Sequence, residues 1–257
     1  MALLEVIGVE RSFYGVNALC GVDLKVEAGR ITGLIGPNGA GKTTLFNCIT
    51  GVVPPERGCI RFAGRDIAGL RPDEVSARGL VRTFQIARGL PRLSVLDNLL
   101  LYGGHQPGER MLAALLGSRA VRRRELELTE RAVRIARRLN LMPVIRNPAS
   151  DLSGGQKKLL EIGRALMSEP KLILLDEPVA GVNPALASEI GAHLKGLVGD
   201  GITVLLIEHQ MDMVARLCDP VIVMAEGRHL AEGSFAAMAA DARVQEAYMG
   251  RRRGAVA

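Results

Sequence analysis

Ile31-Thr-Gly-Leu-Ile35-Gly36-Pro-Asn38-Gly39-Ala-Gly41-Lys42-Thr43-Thr44 is the stretch on which the reading of this 257-residue chain turns. A strand-like run, residues 31–35, enters a glycine-rich turn, and helix-compatible residues, 44–49, leave it. The turn fits the spacing G-x-x-x-x-G-K-[ST] of a phosphate-binding loop. Glycines let the backbone bend round an anion and aim its N–H groups inward, and the helix start adds the positive end of its dipole. Lys42 is then placed to neutralise phosphate charge, and the Thr43 hydroxyl to ligate Mg2+. Gly36, Asn38, Gly39, Gly41, Lys42, Thr43 and Thr44 are the candidate binding residues of this loop. A bare glycine-rich turn would give the same letters. The strand before it and the helix after it are the context that makes it a site.

Two further stretches carry chemistry. Leu172-Ile-Leu-Leu175-Asp176-Glu177 is an apolar run ending in two carboxylates. Strands of a parallel sheet are covered on both faces, and such sheets bind ligands at the carboxyl ends of their strands. Asp176 fits the role of holding Mg2+. Glu177, one residue on, fits that of the general base for an attacking water. Alone, an acidic pair after a strand reads as a solvated turn; the phosphate loop in the same chain changes that reading. Leu152-Ser153-Gly154-Gly155-Gln156 has the capping-box spacing of a helix start. Its exposed N–H groups make a second anion-binding device.

Around these motifs short apolar runs alternate with helix-like segments, the pattern of an α/β fold with a largely parallel sheet. Strands are predicted over residues 3–9, 22–26, 31–35, 59–62, 172–175, 203–207 and 221–224. Between about 84 and 156 the pattern changes. Ser94 with Asp97 predicts a helix start. Val121, Leu128, Ala132, Ile135 and Leu139 form one apolar stripe on a long helix. A further helix is predicted from Ser153 to about Ser168, stopped by Pro170. The expected organisation is a discontinuous α/β core over residues 1–84 and 157–230, an inserted helical subdomain over 85–156, and a C-terminal helical tail over 231–257.

The Leu-Ser-Gly-Gly-Gln wording, with the phosphate loop and the acidic strand end, resembles the ATP-binding cassette (ABC) ATPases, and nearly the whole chain follows that family's motif order. The resemblance implies a phosphate-loop, RecA-like core with an antiparallel β part and an inserted helical subdomain. It implies ATP and Mg2+ as ligands. It also implies that Tyr14, in Ser12-Phe-Tyr14-Gly15, stacks on adenine. Gln85, in Arg82-Thr-Phe-Gln85, would reach Mg2+ and the attacking water and lead into the helical subdomain. His209, in Leu206-Ile-Glu-His209, would contact the γ-phosphate. The implied catalytic set is Glu177, His209 and Gln85, and the implied metal set Thr43, Gln85 and Asp176. Family members work as dimers that sandwich two ATP molecules. Ser153 and the amides of Gly154 and Gly155 would then hold the γ-phosphate across the dimer.

One departure stands out: Asn183 replaces an Asp usual in the family after the Glu177-Pro178 pair. The wording Ala180-Gly-Val-Asn183-Pro184, with Ala247-Tyr-Met-Gly250 near the end, resembles a narrower branch, the ATPases of importers for branched-chain amino acids and related amides such as urea. Lipopolysaccharide-export ATPases share much of this wording. Soluble ABC ATPases of DNA repair or translation are a separate class, and those usually carry two cassettes or a coiled-coil insertion. The partners implied are membrane permease subunits, a second copy or a sister ABC ATPase, and, indirectly, a substrate-binding protein.

Composition sets the outer bounds. Hydrophobic residues make up 48% and charged residues 23%, the balance of a globular chain with a real core. The net charge of +6 is modest, and aromatics are 3% with no Trp, so no nucleic-acid partner is expected. No apolar run approaches the roughly 18 residues that span a bilayer, and the N-terminus does not read as a signal peptide. Cys20, Cys48, Cys59 and Cys218 show neither C-x-x-C nor metal spacing, which reads as free thiols of a reducing compartment. The protein is expected in the cytoplasm, on the inner face of the membrane beside its permease. Residues 103–146 hold ten Arg against four Glu. That excess reads either as a solvated helix face or as a surface near anionic lipid headgroups. No Asn-Lys-x-Asp motif is present, which excludes a GTPase switch.

Overall fold

The computed structural model of the protein describes residues 2–83, 90–104 and 119–249. The chain divides into two compact units. The first comprises Met1–Arg82, Lys171–Pro178 and Leu194–Ala257, the second Thr83–Pro170 and Val179–His193.

The first unit carries the strands β1 (Ala2–Phe13), β2 (Val16–Glu27), β3 (Ile31–Ile35), β4 (Arg57–Phe62), β5 (Arg65–Asp66), β6 (Leu80–Arg82), β7 (Leu172–Asp176), β8 (Thr203–Ile207), β9 (Val221–Ala225) and β10 (Arg228–Gly233). They form two sheets. One is antiparallel, in the order β2-β1-β4-β5. The other runs β10-β9-β3-β8-β7-β6 and is parallel except for its β9–β10 hairpin. β3, β7 and β8 are buried at every position, which explains their near-continuous apolar sequence. Helix α1 (Lys42–Ile49) follows β3. Its buried Leu45, Phe46 and Ile49 join Leu34, Leu174, Leu205 and Ile222 of the parallel sheet and Leu4, Val22 and Ile60 of the antiparallel one in a single apolar cluster. α2 (Pro72–Ala77) is short, with a capping box closed by Glu74.

In the second unit α3 (Val95–Leu100), α4 (Arg119–Arg138) and α5 (Gly154–Met167) pack together. Ser94 caps α3 by accepting the Asp97 N–H. Leu128, Ala132, Ile135 and Leu139 are buried along one side of α4 and beyond its end, as their spacing predicts. Val121, the fifth residue of that stripe, has a side chain outside the described residues. Gly163 lets α5 approach closely: a Cβ there would meet Leu99 Cδ2 at 2.9 Å. Two buried polar side chains of this core are paired with each other. Arg164 Nη2 donates to Asn98 Oδ1 at 2.5 Å, and Asn98 Nδ2 donates to the carbonyls of Leu90, Leu93 and Ser94. Burial pulls the Arg164 guanidinium below its ordinary range, opposed by Tyr102 and Glu161.

α6 (Pro184–Gly199), α7 (Met211–Leu217), α8 (Phe235–Ala240) and α9 (Ala242–Met249) complete the described helices. Differences from the sequence reading have local causes. β1 runs on to Phe13 and β2 begins at Val16, because a two-residue turn at Tyr14-Gly15 pairs Phe13 with Val16 beyond the apolar stretch. β5 and β6 are too short to show a pattern. β10 is half-polar and pairs through its backbone, so the segment from residue 231 opens as strand and turns helical only at Phe235. Among the described residues no helix is long and apolar enough to cross a membrane.

All four cysteines are free. Cys48 and Cys218 are buried, and desolvation pushes their thiols up to about 11 and about 12. Thiolate is the reactive form, so these two are inert in the folded protein. Ellman's reagent on native protein is expected to titrate Cys20 and Cys59 first, reaching Cys48 and Cys218 only after denaturant is added; four equally fast thiols would contradict the packing.

Candidate nucleotide-binding site

The loop between β3 and α1 is held in conformations that few side chains tolerate. Gly36 has φ 148°, and a Cβ there would lie 2.1 Å from the Met224 carbonyl oxygen. Gly41, the N-cap of α1, has φ 95°, and a Cβ would lie 2.5 Å from the Ala18 carbonyl oxygen. Backbone from β9 and β2 therefore presses against the loop at both ends. Lys42 is 7% exposed, and its ammonium donates to the carbonyls of Gly36 at 2.7 Å and Pro37 at 3.0 Å. Burial draws this lysine below its ordinary range, while the charges of Glu177 and Asp176 draw it back up. Asn38, Gly39 and Thr43 are exposed, Gly36 and Lys42 are buried, and Gly41 and Thr44 are half-buried. A cleft of about 510 Å³ flanks the loop, between Pro37, Asn38 and Gly39 on one side and Glu226, Arg228 and Arg243 on the other. An apolar cavity of about 340 Å³, lined by Ile35, Met238 and Met249 among others, offers little for phosphate.

The two carboxylates follow β7. Asp176 is 4% exposed. Glu177 is half-buried at φ 52°, the left-handed region, where a side chain is uncommon. Its N–H donates to the Ile207 carbonyl at 2.9 Å, holding it beside the end of β8. Its Oε1 lies 2.9 Å from Nε2 of His209, two residues past that strand. Thus Glu177 and His209, 32 positions apart in sequence, are brought together as one close pair.

Sequence reasoning missed the residue that sets this turn. Glu208, 2% exposed, accepts the N–H groups of His209 at 3.0 Å and Gln210 at 3.4 Å. It also missed the partner of Asp176, which is Arg82 at the end of β6, at 2.7 Å. Neither link can be read from spacing.

Tyr14 is fully exposed at φ 49° in the β1–β2 turn, an unsupported aromatic face. Ser153 caps α5 in the second unit: its hydroxyl accepts the Gln156 N–H at 3.2 Å, and Gln156 Oε1 accepts the Ser153 N–H at 3.0 Å. Ser153 and Gly154 are exposed. Gly155 is buried, and a Cβ on it would lie 2.1 Å from Leu186 Cδ2, so its smallness serves packing. Asn183 Oδ1 accepts the Leu186 N–H at 2.9 Å, capping α6 with Pro184 in the first turn. The amide does there what an Asp carboxylate would do. Gln85, and Gly250 of the terminal wording, lie outside the described residues.

Residues 19–180 match the ABC transporter family. The chain is 41% identical over 254 residues to the probable branched-chain amino acid transport ATP-binding protein LivG of Methanocaldococcus jannaschii, covering 97% of this chain and 98% of that one. It is 39% identical over 249 residues to the high-affinity branched-chain amino acid transport ATP-binding protein BraF of Pseudomonas aeruginosa, covering 96% and 98%. Among solved structures it resembles the ADP conformation of an ATP-binding cassette of an ABC transporter, with TM-score 0.85 and 41% identity over 97% of this chain and 99% of that one. The chain belongs to the ABC transporter family, as one of its ATP-binding cassettes. It is an ATPase.

Gly36→Ala is expected to weaken binding of a fluorescent ATP analogue by about tenfold or more, because the added Cβ must displace the Met224 carbonyl. An affinity within error of the parent protein would show that the loop need not take this shape to bind.

Proposed function

We propose that this protein is the ATP-hydrolysing subunit of an importer for branched-chain amino acids, acting on separate membrane permease subunits from the inner face of the membrane. The observation that carries the reading is the gathering of Lys42, Asp176, Glu177 and His209 at one sheet edge. The end-to-end likeness to branched-chain amino acid transport ATP-binding proteins supplies the branch. Urea or amide import, or lipopolysaccharide export, is the second reading, supported by motif wording alone.

The residues take these roles. N–H groups of the 36–43 loop cradle the β- and γ-phosphates. Lys42 exchanges its two loop carbonyls for phosphate oxygens, and the added negative charge favours its protonated form. Tyr14 stacks on the base. Thr43 offers a hydroxyl and Asp176 a carboxylate, the oxygen donors that a hard divalent cation takes. No group of three His, Cys, Asp or Glu among the described residues would hold a metal by itself, which suits a Mg2+ that arrives with the phosphates. When bound, Mg2+ neutralises charge on the phosphoryl oxygens. Gln85 is assigned to the same metal and water. Glu177 accepts the proton of the attacking water, and His209, donating to its carboxylate, orients it. Ser153, Gly154 and Gly155 meet the γ-phosphate of a facing cassette, either a second copy or a sister ATPase. The exposure of Ser153 and Gly154 and the first-turn donors that any helix leaves unpaired support this. Loss of the γ-phosphate then removes the contacts that close the dimer, and opening drives the permease.

Glu177→Gln keeps the shape and removes the base. Turnover is expected to fall by about 10²-fold or more with ATP still bound, and the variant should elute as a dimer when Mg-ATP is present. Near-parental turnover would remove Glu177 from the role. Transport specificity needs the whole assembly: vesicles holding the permease, the binding protein and this subunit should take up labelled leucine on addition of ATP. Uptake of urea but not leucine would favour the second reading, and no uptake of either would sink the import assignment.

A further inference from the structure

The metal-side carboxylate has a partner that no motif names. Arg82 Nη2 donates to Asp176 Oδ2 at 2.7 Å, and the two side chains are only 9% and 3% exposed. The other arm of the fork, Nη1, donates to Asn47 Oδ1 on α1 at 2.5 Å. The guanidinium lies 5.5 Å over the Phe46 ring. The remaining donor, Nε, is buried and has no partner among the described residues.

Such an arrangement is a poor way to gain stability. Desolvation offsets much of the attraction in a buried ion pair, and an unmet buried donor adds to the cost. What the fork achieves is geometry. A planar guanidinium with two anchored arms fixes both the position and the plane of what it touches. Asp176 is held by one oxygen, which leaves Oδ1 as the one that can turn to a cation. The second anchor, Asn47, lies five residues after Lys42 on the helix whose first turn presents Thr43. The two protein groups offered to the metal are therefore tied to each other through Arg82.

We propose that Arg82 is a positioning residue for Mg2+: it orients Asp176 through one oxygen and locks that carboxylate to the helix carrying Thr43. The proposal rests on the reading of Asp176 as the metal-side carboxylate. Groups that orient a ligating carboxylate are costly to remove, typically about 10–100-fold in metal affinity. Arg82 also stands three residues before Gln85 in the chain, so the residue that positions one metal group directly precedes the segment that supplies another.

Binding of a fluorescent ATP analogue, titrated with Mg2+ and repeated in EDTA, tests this in the parent protein, Arg82→Ala, Arg82→Lys and Asp176→Asn, with thermal melting as the check on folding. In Arg82→Ala the Mg2+ concentration that gives half the enhancement should rise about 10–100-fold, with EDTA affinity within about twofold of the parent. Arg82→Lys, whose ammonium keeps the charge but cannot span both anchors, should fall between the two. A folded Arg82→Ala with the parental Mg2+ midpoint, or a lower one, overturns the proposal. If that variant does not fold, a parental midpoint in Arg82→Lys does the same. Asp176→Asn separates the levels: if it keeps the full Mg2+ enhancement, the underlying assignment of Asp176 fails and not merely the role of Arg82.

Discussion

A chain that wraps an anion with its own backbone N–H groups must pass through conformations that side chains block, and it must be held there. Here the constraint is set by carbonyl oxygens from two other strands. Met224 of β9 closes on Gly36, and Ala18 of β2 closes on Gly41. The loop is shaped by the sheets around it as much as by its own glycines. The apolar cluster that the antiparallel β part shares with the parallel sheet keeps β2, and with it the Ala18 carbonyl, in place. If the two sheets parted, the Ala18 contact on Gly41 would be lost, while Met224, on the strand paired with β3, would stay against Gly36. Lys42 completes the arrangement by bonding the loop's own carbonyls, so the loop is internally braced before any phosphate arrives.

The second consequence of the parallel sheet is convergence. Strands β3, β8, β7 and β6 are neighbours in that order and run in the same direction, so their carboxyl ends share an edge. The phosphate loop leaves β3, Glu208 and His209 leave β8, Asp176 and Glu177 leave β7, and Arg82 ends β6. Four stretches far apart in sequence deliver their candidate site residues to adjacent positions. The parallel ladder keeps their spacing, because β3, β8 and β7 are each locked to a neighbour on both sides. Of these four, β6 lies at an edge of the sheet, and its last residue is pinned by Asp176 and Asn47.

What was legible in the sequence follows from the same physics. β3, β7 and β8 read clearly because strands covered on both faces are apolar throughout. The phosphate loop read clearly because its geometry admits few residue types. α4 read clearly because one buried face leaves a stripe. β5, β6 and β10 did not, since two to six half-polar residues paired through backbone leave no periodic trace. Arg82 and Glu208 were invisible as site residues for a different reason. An Arg before a turn and a Glu before a His carry no spacing of their own. Their meaning comes from which strand lies alongside. Asn183 shows the converse: it departs from the family's wording, yet its side-chain oxygen still accepts a first-turn N–H as a helix cap does.

The strained backbone at Glu177 ties these points together. A left-handed φ disfavours a residue with a Cβ, and glycine would fit there with less cost. The conformation persists because the Glu177 N–H is bonded to Ile207 on the adjacent strand, while Asp176 one residue earlier is fixed by Arg82. Between those two anchors the chain has little choice but to turn sharply, and the turn aims the Glu177 side chain at His209 instead of along the strand. A glycine would relieve the strain but leave nothing to meet the histidine. A glutamate two residues later, past the turn, would sit beyond the β7–β8 ladder that holds the pair in register. Retaining a charged side chain at an unfavourable φ is therefore best understood as the cost of placing one carboxylate where two strand ends meet.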